Sequence, residues 1–286
     1  MHHFKIFVEL TRLNKPIGFM LLFWPCAWGL AFANSYRQNL ELFIHYLILF
    51  FLGSVLMRSA GCIFNDIVDK DFDKKVKRTK KRPIASGKIS VSQSFFYVVI
   101  LCLIALLILI QFNFLTIVLG LSSMLLAFTY PFMKRITYWP QLFLGITFNW
   151  GIIMAWTSFN NTISIDIIIL YVSAIFWTLG YDTIYGAQDM YEDEIIGLKS
   201  TSLKFKKNIK LFVAFSYITN FMLISYLFKD NLGMNIFSII LLFFMLSLIY
   251  QLLKFDKKKP IECLKMFKLN NFSGLLLFLG ILSINF

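Results

Sequence analysis

Residues 58–88 read RSAGCIFNDIVDKDFDKKVKRTKKRPIASGK, and they join a long apolar segment to a strongly charged one. The apolar run ends in four aspartates, and a dense series of lysines and arginines follows at once. A continuous helix turns by about 100° per residue, so it gathers four oxygen-bearing side chains on one face: Asn65, Asp66, Asp69 and Asp73. Asp71 points to the other side. Oxygen-only ligands suit a hard cation such as Mg²⁺, which often shares its coordination shell with substrate phosphates. We therefore predict metal ligands in this first cluster, Asn65–Asp73.

The composition indicates an integral membrane protein. Of the 286 residues, 58% are hydrophobic and only 15% are charged, and the mean hydropathy is +0.72. A soluble domain has about 25% charged residues. The four cysteines show no CxxC spacing, so neither a disulfide framework nor a zinc site is indicated. A net charge of +13 could indicate binding to nucleic acid. The distribution of the basic residues along the chain instead favours contact with a membrane surface, so we expect no nucleic-acid partner.

Nine apolar stretches have about the 20 residues that a membrane helix needs. They are 17–34, 42–64, 91–111, 114–133, 138–158, 163–186, 209–228, 234–253 and 266–284. The first could also be a signal peptide, because it has a basic start and ends in Ala-Phe-Ala, but many similar spans follow it. We expect residues 1–16 to be a short polar segment with a disordered start. The prediction is an all-α membrane bundle forming one domain, residues 1–286.

The basic residues alternate between loops and so predict an orientation. All but three of the 28 lysines and arginines lie in 1–16, 65–90, 134–135, 199–210 and 254–268. The exceptions are Arg37, Arg58 and Lys229. By the positive-inside rule the basic loops and the N-terminus face the cytoplasm, and an odd number of spans puts the C-terminus outside.

A second acidic cluster closes the sixth predicted span. Residues 181–201 read YDTIYGAQDMYEDEIIGLKST, and we define the second cluster as Asp182–Asp193. On a continuous helix Asp182, Asp189 and Asp193 fall within about 40°, with Tyr185 further round. This geometry requires that Gly186 does not end the helix. The second and sixth spans thus close in similar ways, which suggests a weak internal duplication.

Two carboxylate-lined helix ends that face each other could hold Mg²⁺ ions around one diphosphate. Nearby basic residues could neutralise the remaining charge, and these are Arg78, Arg82, Lys134, Arg135 and Lys199. Such a site would ionise an allylic diphosphate, because the metal stabilises the leaving group electrostatically. The cationic carbon fragment then needs a dry cavity lined by aromatic rings. Membrane lipid would hold a long isoprenoid tail.

Both clusters belong to longer motifs that resemble a known family. NDxxDxxxD at Asn65–Asp73 with RTxxRPxxSG at Arg78–Gly87 resembles the first signature of the UbiA family of intramembrane prenyltransferases. The stretch 181–201 is similar to the second signature. RLNKPIG at 12–18 and YPFMKRITYWPQ at 130–141 resemble the branch of this family that prenylates 4-hydroxybenzoate. Beyond the second signature the resemblance is in hydropathy alone.

This resemblance implies a nine-helix fold around a central cavity and a dependence on Mg²⁺. It also implies transfer of a polyprenyl group from polyprenyl diphosphate to C3 of 4-hydroxybenzoate, an early step of ubiquinone biosynthesis. The implied location is the bacterial inner membrane or its mitochondrial equivalent, with the active site facing the cytoplasm. Carried over by position, the metal ligands are Asn65, Asp69, Asp73, Asp189 and Asp193.

The predicted roles divide into three groups. The residues predicted to be catalytic are Asp69, Asp73, Asp189, Asp193 and Arg135. The residues predicted to bind substrate are Asn65, Arg58, Arg12, Arg78, Arg82, Tyr185 and Lys199. A charged side chain within a span is costly and usually functional, so Arg58 is our first choice as partner of the acceptor carboxylate, ahead of Arg135 and Arg12. Asp71 and Glu194 point away from both clusters and are predicted to be solvated.

Two alternatives stay open at this stage. The acceptor could be homogentisate, a naphthoate or haem, with the metal chemistry unchanged. A membrane cation transporter could also use paired acidic residues. Transport sites tend to lie near the bilayer midplane, whereas both clusters here close their spans, which favours prenyl transfer.

Overall fold

The computed structural model describes residues 2–76 and 79–284, and every regular element within them is helical. In chain order the helices are α1 (His2–Thr11), α2 (Ile17–Arg37), α3 (Leu40–Val68), α4 (Lys70–Asp73), α5 (Val91–Leu109), α6 (Phe114–Thr129), α7 (Met133–Ile136), α8 (Pro140–Asn160), α9 (Ile165–Gly186), α10 (Met190–Ile195), α11 (Thr201–Lys204), α12 (Ile209–Leu227), α13 (Ile236–Lys254) and α14 (Pro260–Ser283). In this described part of the chain, nine helices are long and apolar enough to cross a membrane. The prediction of an all-α bundle of nine membrane helices is confirmed.

The predicted spans agree with the observed helices to within a few residues, apart from the second and the last. The second extends from Leu40 to Val68 rather than from 42 to 64, because the Asn39 side chain accepts a hydrogen bond from Leu42 N and caps the helix earlier. The last begins at Pro260 rather than at 266. The first turns of this helix contain charged residues, so hydropathy alone assigns them to the preceding loop. Pro260 is the sequence signal for the earlier start, because proline is favoured in the first turn of a helix.

The N-terminal segment is a helix, and the prediction that residues 1–16 form a polar segment with a disordered start is wrong. Helix α1 buries Ile6 and Leu10 against Ile63 of α3 and Ile84 of the following loop. The Phe7 ring packs edge-on against Tyr97 at 5.3 Å. With ten residues, α1 is too short to span a membrane, so it carries no span-length hydropathy signal.

The first and last membrane helices are neighbours. The indole of Trp28 in α2 donates a hydrogen bond of 2.9 Å to Gly274 O of α14. The indole of Trp24 donates to Asn271 Oδ1, also at 2.9 Å. Helix α2 packs in addition against α3 and α8. These contacts join the two ends of the chain and close the bundle.

A buried hydrogen-bond network ties the C-terminal helices to α9. Trp177 of α9 donates to Asn270 Oδ1 of α14 at 2.9 Å, and Asn270 donates to Gln251 Oε1 of α13 at 2.8 Å. Tyr217 of α12 also donates to Gln251 Oε1, and Gln251 Nε2 donates to Ser273 Oγ. All five side chains are buried. In the absence of water, each of these polar groups needs an internal partner, so the network specifies how these four helices pack.

The connectivity places both acidic clusters at one end of the bundle. Helices α3 and α9 are the second and sixth spans, and α6 is the fourth. Because successive spans alternate in direction, these three helices all end on the same side. The short helices α4, α7, α10 and α11 follow them and form that end of the molecule.

Candidate active site

The first cluster begins where α3 ends. Helix α3 stops at Val68, and Asp69 has φ −92° and ψ 2°, outside the helical region, before α4 resumes at Lys70. The expectation of one continuous helix through Asp73 is therefore wrong. The break still leaves Asp66, Asp69 and Asp73 buried, while the Asp71 side chain is 85% exposed, as predicted.

Each buried carboxylate of the first cluster contacts a basic side chain from another segment. Asp66 Oδ1 accepts hydrogen bonds from Arg12 Nη2 at 2.5 Å and from Arg82 Nη1 at 3.0 Å. Arg82 Nη1 also donates to Asp73 Oδ2 at 2.8 Å. Buried charges are stable only when they are paired and hydrogen-bonded. The structure therefore brings Arg12 and Arg82 to the cluster, as the sequence predicted.

The segment after α6 supplies the partners of Asp69. Lys134 Nζ and Arg135 Nη2 both contact the Asp69 carboxylate, and Arg135 Nη2 also donates to Val68 O at 2.7 Å. The Arg135 guanidinium lies over the Phe72 ring, 4.8 Å from its centroid. The predicted site residue Asn65 donates from Nδ2 to Asp69 Oδ2 at 3.0 Å. Three side chains thus meet around one carboxylate.

The second cluster has a similar backbone plan. Helix α9 ends at Gly186, so the condition for a continuous helix is not met, and α10 begins after Asp189, which has φ −106° and ψ 2°. Asp182, Asp189 and Asp193 are half-buried. Asp189 and Asp193 each interact with neighbouring residues. Glu194 is exposed and forms an ion pair with Lys206 at 2.6 Å, which agrees with its predicted solvation.

The loop after α10 is held firmly against the membrane helices. Thr201 Oγ1 hydrogen-bonds to Thr183 Oγ1 at 2.7 Å, and Ser202 Oγ donates to Thr183 O at 2.8 Å. Thr201 N donates to Gln141 Oε1 of α8 at 2.9 Å. The ring of the predicted substrate-binding Tyr185 packs on Phe267 of α14 at 4.5 Å. The contacts of Thr201 and Ser202 hold the start of α11, which follows the second cluster, against α8 and α9.

Two features connect the clusters. Lys199 N donates to Lys134 O at 2.8 Å, and Lys199 Nζ donates to Ile136 O at 3.0 Å, so the predicted Lys199 braces the segment that carries the partners of Asp69. Tyr130 lies in the neighbourhood of both Asp69 of the first cluster and Asp182 of the second. Tyr130 was not predicted as a site residue, although it begins the YPFMKR motif.

Arg58 lies deeper in the bundle, about two turns below the first cluster. Its guanidinium lies over the Phe148 ring at 5.1 Å and interacts electrostatically with Asp182. Within the described residues, the buried Arg58 Nε has no hydrogen-bond partner. Unpaired buried polar atoms are rare in native proteins, so this position has donors available for a polar ligand. Arg78 lies outside the described residues.

The donor set fits a hard divalent cation. Carboxylates and one amide line the first cluster, and carboxylates line the second, which is the oxygen chemistry that Mg²⁺ prefers. Among the described residues, no three His, Cys, Asp or Glu side chains converge as a preformed metal centre. The first-cluster carboxylates are instead balanced by arginine and lysine. Burial raises the pKa of the Asp73 carboxyl, and Arg82 opposes that shift. The oxygen ligands for a hard cation are thus present at this cluster, and basic side chains occupy them in this structure.

Comparison with known proteins identifies the fold and the family. Residues 22–274 match the model of the UbiA prenyltransferase family. The chain is 42% identical over 281 residues to the mitochondrial 4-hydroxybenzoate polyprenyltransferase of Bos taurus, covering 96% of this chain and 74% of that protein.

Solved structures show the same fold. A UbiA homologue from Aeropyrum pernix K1, solved in the apo form, superposes with a TM-score of 0.76 and 24% identity over 92% of this chain and 96% of that one. A UbiA homologue from Archaeoglobus fulgidus, bound to GPP and Mg²⁺, gives a TM-score of 0.72 and 16% identity over 98% of this chain and 99% of that one. By sequence and by fold, the chain belongs to the UbiA prenyltransferase family.

Proposed function

We propose that this protein transfers a polyprenyl group from polyprenyl diphosphate to C3 of 4-hydroxybenzoate in a Mg²⁺-dependent reaction, an early step of ubiquinone biosynthesis. The observation that carries the proposal is the pair of carboxylate clusters at one end of an apolar bundle, with Lys199, which follows the second cluster, hydrogen-bonded to the segment that carries the basic partners of Asp69. The bovine relative, 42% identical over nearly the whole chain, bears the name of this activity. All of residues 1–286 would form the one catalytic domain.

The two clusters would bind the diphosphate end of the donor. Asn65, Asp69 and Asp73 on one side and Asp189 and Asp193 on the other would hold the Mg²⁺. Bound there, Mg²⁺ neutralises the charge that develops on the leaving diphosphate.

Basic side chains would complete the diphosphate site. Lys134 and Arg135, which contact Asp69 in this structure, can turn from the carboxylate to the phosphate oxygens when the carboxylate takes a metal. A lysine ammonium on its flexible stem suits that exchange, and an arginine fork binds phosphate bidentately. Arg82, Arg78 and Lys199 would add positive charge around the same group.

The acceptor would bind deeper in the bundle, with its carboxylate at Arg58. The unpaired Nε of Arg58 and the Phe148 ring beneath its guanidinium offer a charge and an aromatic surface to a benzoate. The hydroxyl of 4-hydroxybenzoate directs the attack of the prenyl cation to the neighbouring ring carbon, C3. That carbon then loses its proton, which restores aromaticity. Arg135 and Arg12 are the next candidates for the carboxylate.

A direct assay tests the proposal. Membranes containing the protein are incubated with radiolabelled 4-hydroxybenzoate, a polyprenyl diphosphate and Mg²⁺, and the lipid extract is chromatographed. We expect labelled 3-polyprenyl-4-hydroxybenzoate that disappears when EDTA is added. The assay is repeated with each alternative acceptor radiolabelled in turn. Prenylation of homogentisate, a naphthoate or haem in place of 4-hydroxybenzoate would refute the acceptor assignment and keep the donor chemistry.

We further propose that the site faces the cytoplasm from a bacterial inner membrane, or the equivalent face of the mitochondrial inner membrane. The basic loops at the cluster end support this orientation through the positive-inside rule. In a cysteine-free background, single cysteines at Lys80 and Lys207 should be shielded from an impermeant thiol reagent in intact cells. A cysteine at Asn160, at the other end of α8, should be labelled. The reverse pattern would contradict the orientation.

A further inference from the structure

The clearest departure from the predicted metal site is the environment of Asp66. Its side chain is 2% exposed, and its Oδ1 accepts hydrogen bonds from two guanidinium groups, those of Arg12 at 2.5 Å and Arg82 at 3.0 Å. Asp69, in contrast, contacts a lysine and has its arginine contact at 3.4 Å. A lysine on a flexible stem can leave a carboxylate for a phosphate. Two arginines on one buried oxygen form a fixed unit, and a dication beside them would meet two positive charges.

The two arginines come from segments far apart in the chain. Arg12 follows α1, and Arg82 lies in the loop between α4 and α5. Neither belongs to a membrane helix, so neither is positioned by the bundle itself. Asp66, one turn before the end of α3, is the point where both segments are fastened to the bundle.

Arg12 lies directly after the last residue of α1. Its φ of +56° is the left-handed conformation on which helices often end. Helix α1 is anchored by Ile6 and Leu10 on one side, and the Arg12 guanidinium is held by Asp66 on the other. The end of α1 is thus tied to the end of α3 through this ion pair.

We propose that Asp66 is a positioning residue rather than a metal ligand: its carboxylate holds the guanidinium groups of Arg12 and Arg82 so that their remaining N–H donors face the diphosphate. A guanidinium has five N–H donors; Arg12 contacts Asp66 through Nη2, and Arg82 contacts both Asp66 and Asp73 through Nη1, so each arginine keeps further donors. Through this unit, the surface helix α1 becomes part of the donor site. The inference rests on the proposed function for the identity of the ligand and assigns Asp66 and α1 their part in binding it.

The test compares binding of the metal with binding of the diphosphate in purified protein. The variants are Asp66→Asn, Arg12→Gly, their double variant, and Asp69→Asn, with the exposed Asp71→Asn as the matched control. Glycine is chosen at Arg12 because it accepts the left-handed backbone and removes the side chain without adding strain. The probe is a non-reacting polyprenyl thiolodiphosphate. Its dissociation constant is measured by calorimetry over a series of Mg²⁺ concentrations, together with thermal stability.

We expect Asp66→Asn and Arg12→Gly each to weaken binding of the probe by about tenfold or more, with half-saturating Mg²⁺ within twofold of the wild type. The double variant should be about as weak as either single variant, because the residues act as one unit. Asp66→Glu should restore part of the affinity. Asp69→Asn should shift the Mg²⁺ dependence, and Asp71→Asn should match the wild type.

Two results would overturn the inference. One is an Asp66→Asn variant whose Mg²⁺ dependence shifts as far as that of Asp69→Asn. The other is an Arg12→Gly variant that folds and binds the probe normally. A wild-type protein that binds the probe but prenylates no acceptor would refute the proposed function, and the binding measurements would still decide the role of Asp66. A wild-type protein that does not bind the probe would refute both.

Discussion

The first cluster at the end of α3 and the second at the end of α9 share one backbone plan and differ in their surroundings. In each, a membrane helix ends, an aspartate with ψ near 2° follows, and a short helix resumes. Each motif then reaches a glycine with φ +76°, Gly87 or Gly197. This parallel agrees with the internal duplication suggested by the sequence.

The surroundings differ in burial and in charge. The three inward-facing aspartates of the first cluster are buried, and they contact Arg12, Arg82, Lys134 and Arg135. The aspartates of the second cluster are half-buried, and the loop after them is fixed by hydroxyl and amide groups such as Thr183 and Gln141. The same motif plan therefore gives one cluster whose buried carboxylates contact arginine and lysine, and another whose following segment is held to the bundle by hydroxyl and amide groups.

The largest expected effect tests whether both clusters are required. Asp69→Asn and Asp189→Asn should each lower kcat by about 100- to 1,000-fold or more, because each removes a charge that helps to hold the cation opposite the leaving group. Initial rates of prenyl transfer and the elution profile of the purified variant provide the measurement. Near-normal turnover by either variant would break the equivalence of the two clusters.

A smaller effect is expected below the clusters, at Arg58. Arg58→Ala should raise the KM for 4-hydroxybenzoate by about 10- to 100-fold and change the KM for polyprenyl diphosphate little, because the acceptor carboxylate loses its charged partner. Steady-state kinetics with each substrate varied in turn distinguishes the two. Arg135→Ala is the comparison, since Arg135 contacts the first cluster. An unchanged acceptor KM in both variants would contradict the assignment.

A third effect tests whether the two glycine turns are equivalent. Gly87→Ala and Gly197→Ala should each lower the free energy of unfolding by about 1–2 kcal/mol, because alanine disfavours a positive φ. A Cβ at either position meets no atom within 4 Å, so the cost comes from the backbone alone. Gly53→Ala in α3 is the matched control, because it also has open space but a helical backbone. Thermal unfolding in detergent should show a loss of stability in Gly87→Ala and Gly197→Ala but not in Gly53→Ala. Unequal losses in the two turn variants would contradict the equivalence of the two glycine turns.

The smallest effect is expected at the outward-facing acids. Asp71→Asn and Glu194→Gln should change activity less than about twofold, because both side chains are exposed and their ion pairs with lysine are screened by solvent. The same prenyl-transfer assay measures this. A loss as large as that of Asp69→Asn in either variant would mean that the outward face of that cluster also takes part.

The sequence predicted the parts of this molecule that depend on local pattern. Nine runs of apolar residues gave the nine spans, and the spacing of Asn65, Asp69 and Asp73 indicated one inward face. The break at Asp69 was missed, because a helical projection assumes regular dihedral angles and acidic residues permit either geometry. The side chains around that break depend on contacts between distant segments, such as Arg12 with Asp66, and spacing does not encode them.

Other features were missed for different reasons. Helix α1 has ten residues, so a hydropathy average taken over the roughly 20 residues of a membrane span does not detect it. Tyr130 lies in a motif that indicated only the family branch, and its place between the clusters follows from the packing of α6 against α3. The network around Gln251 and Asn270 involves polar residues isolated in apolar helices, where hydropathy averages remove their signal.

The contacts between α2 and α14 affect how the protein is made. Translation delivers α2 to the membrane well before α14, so the indole N–H groups of Trp24 and Trp28 have no native partner until α14 has been synthesised. Unpaired donors in hydrocarbon carry a free-energy cost. A nascent chain that has not reached Asn271 and Gly274 therefore carries this cost in α2, and the insertion of α14 removes it.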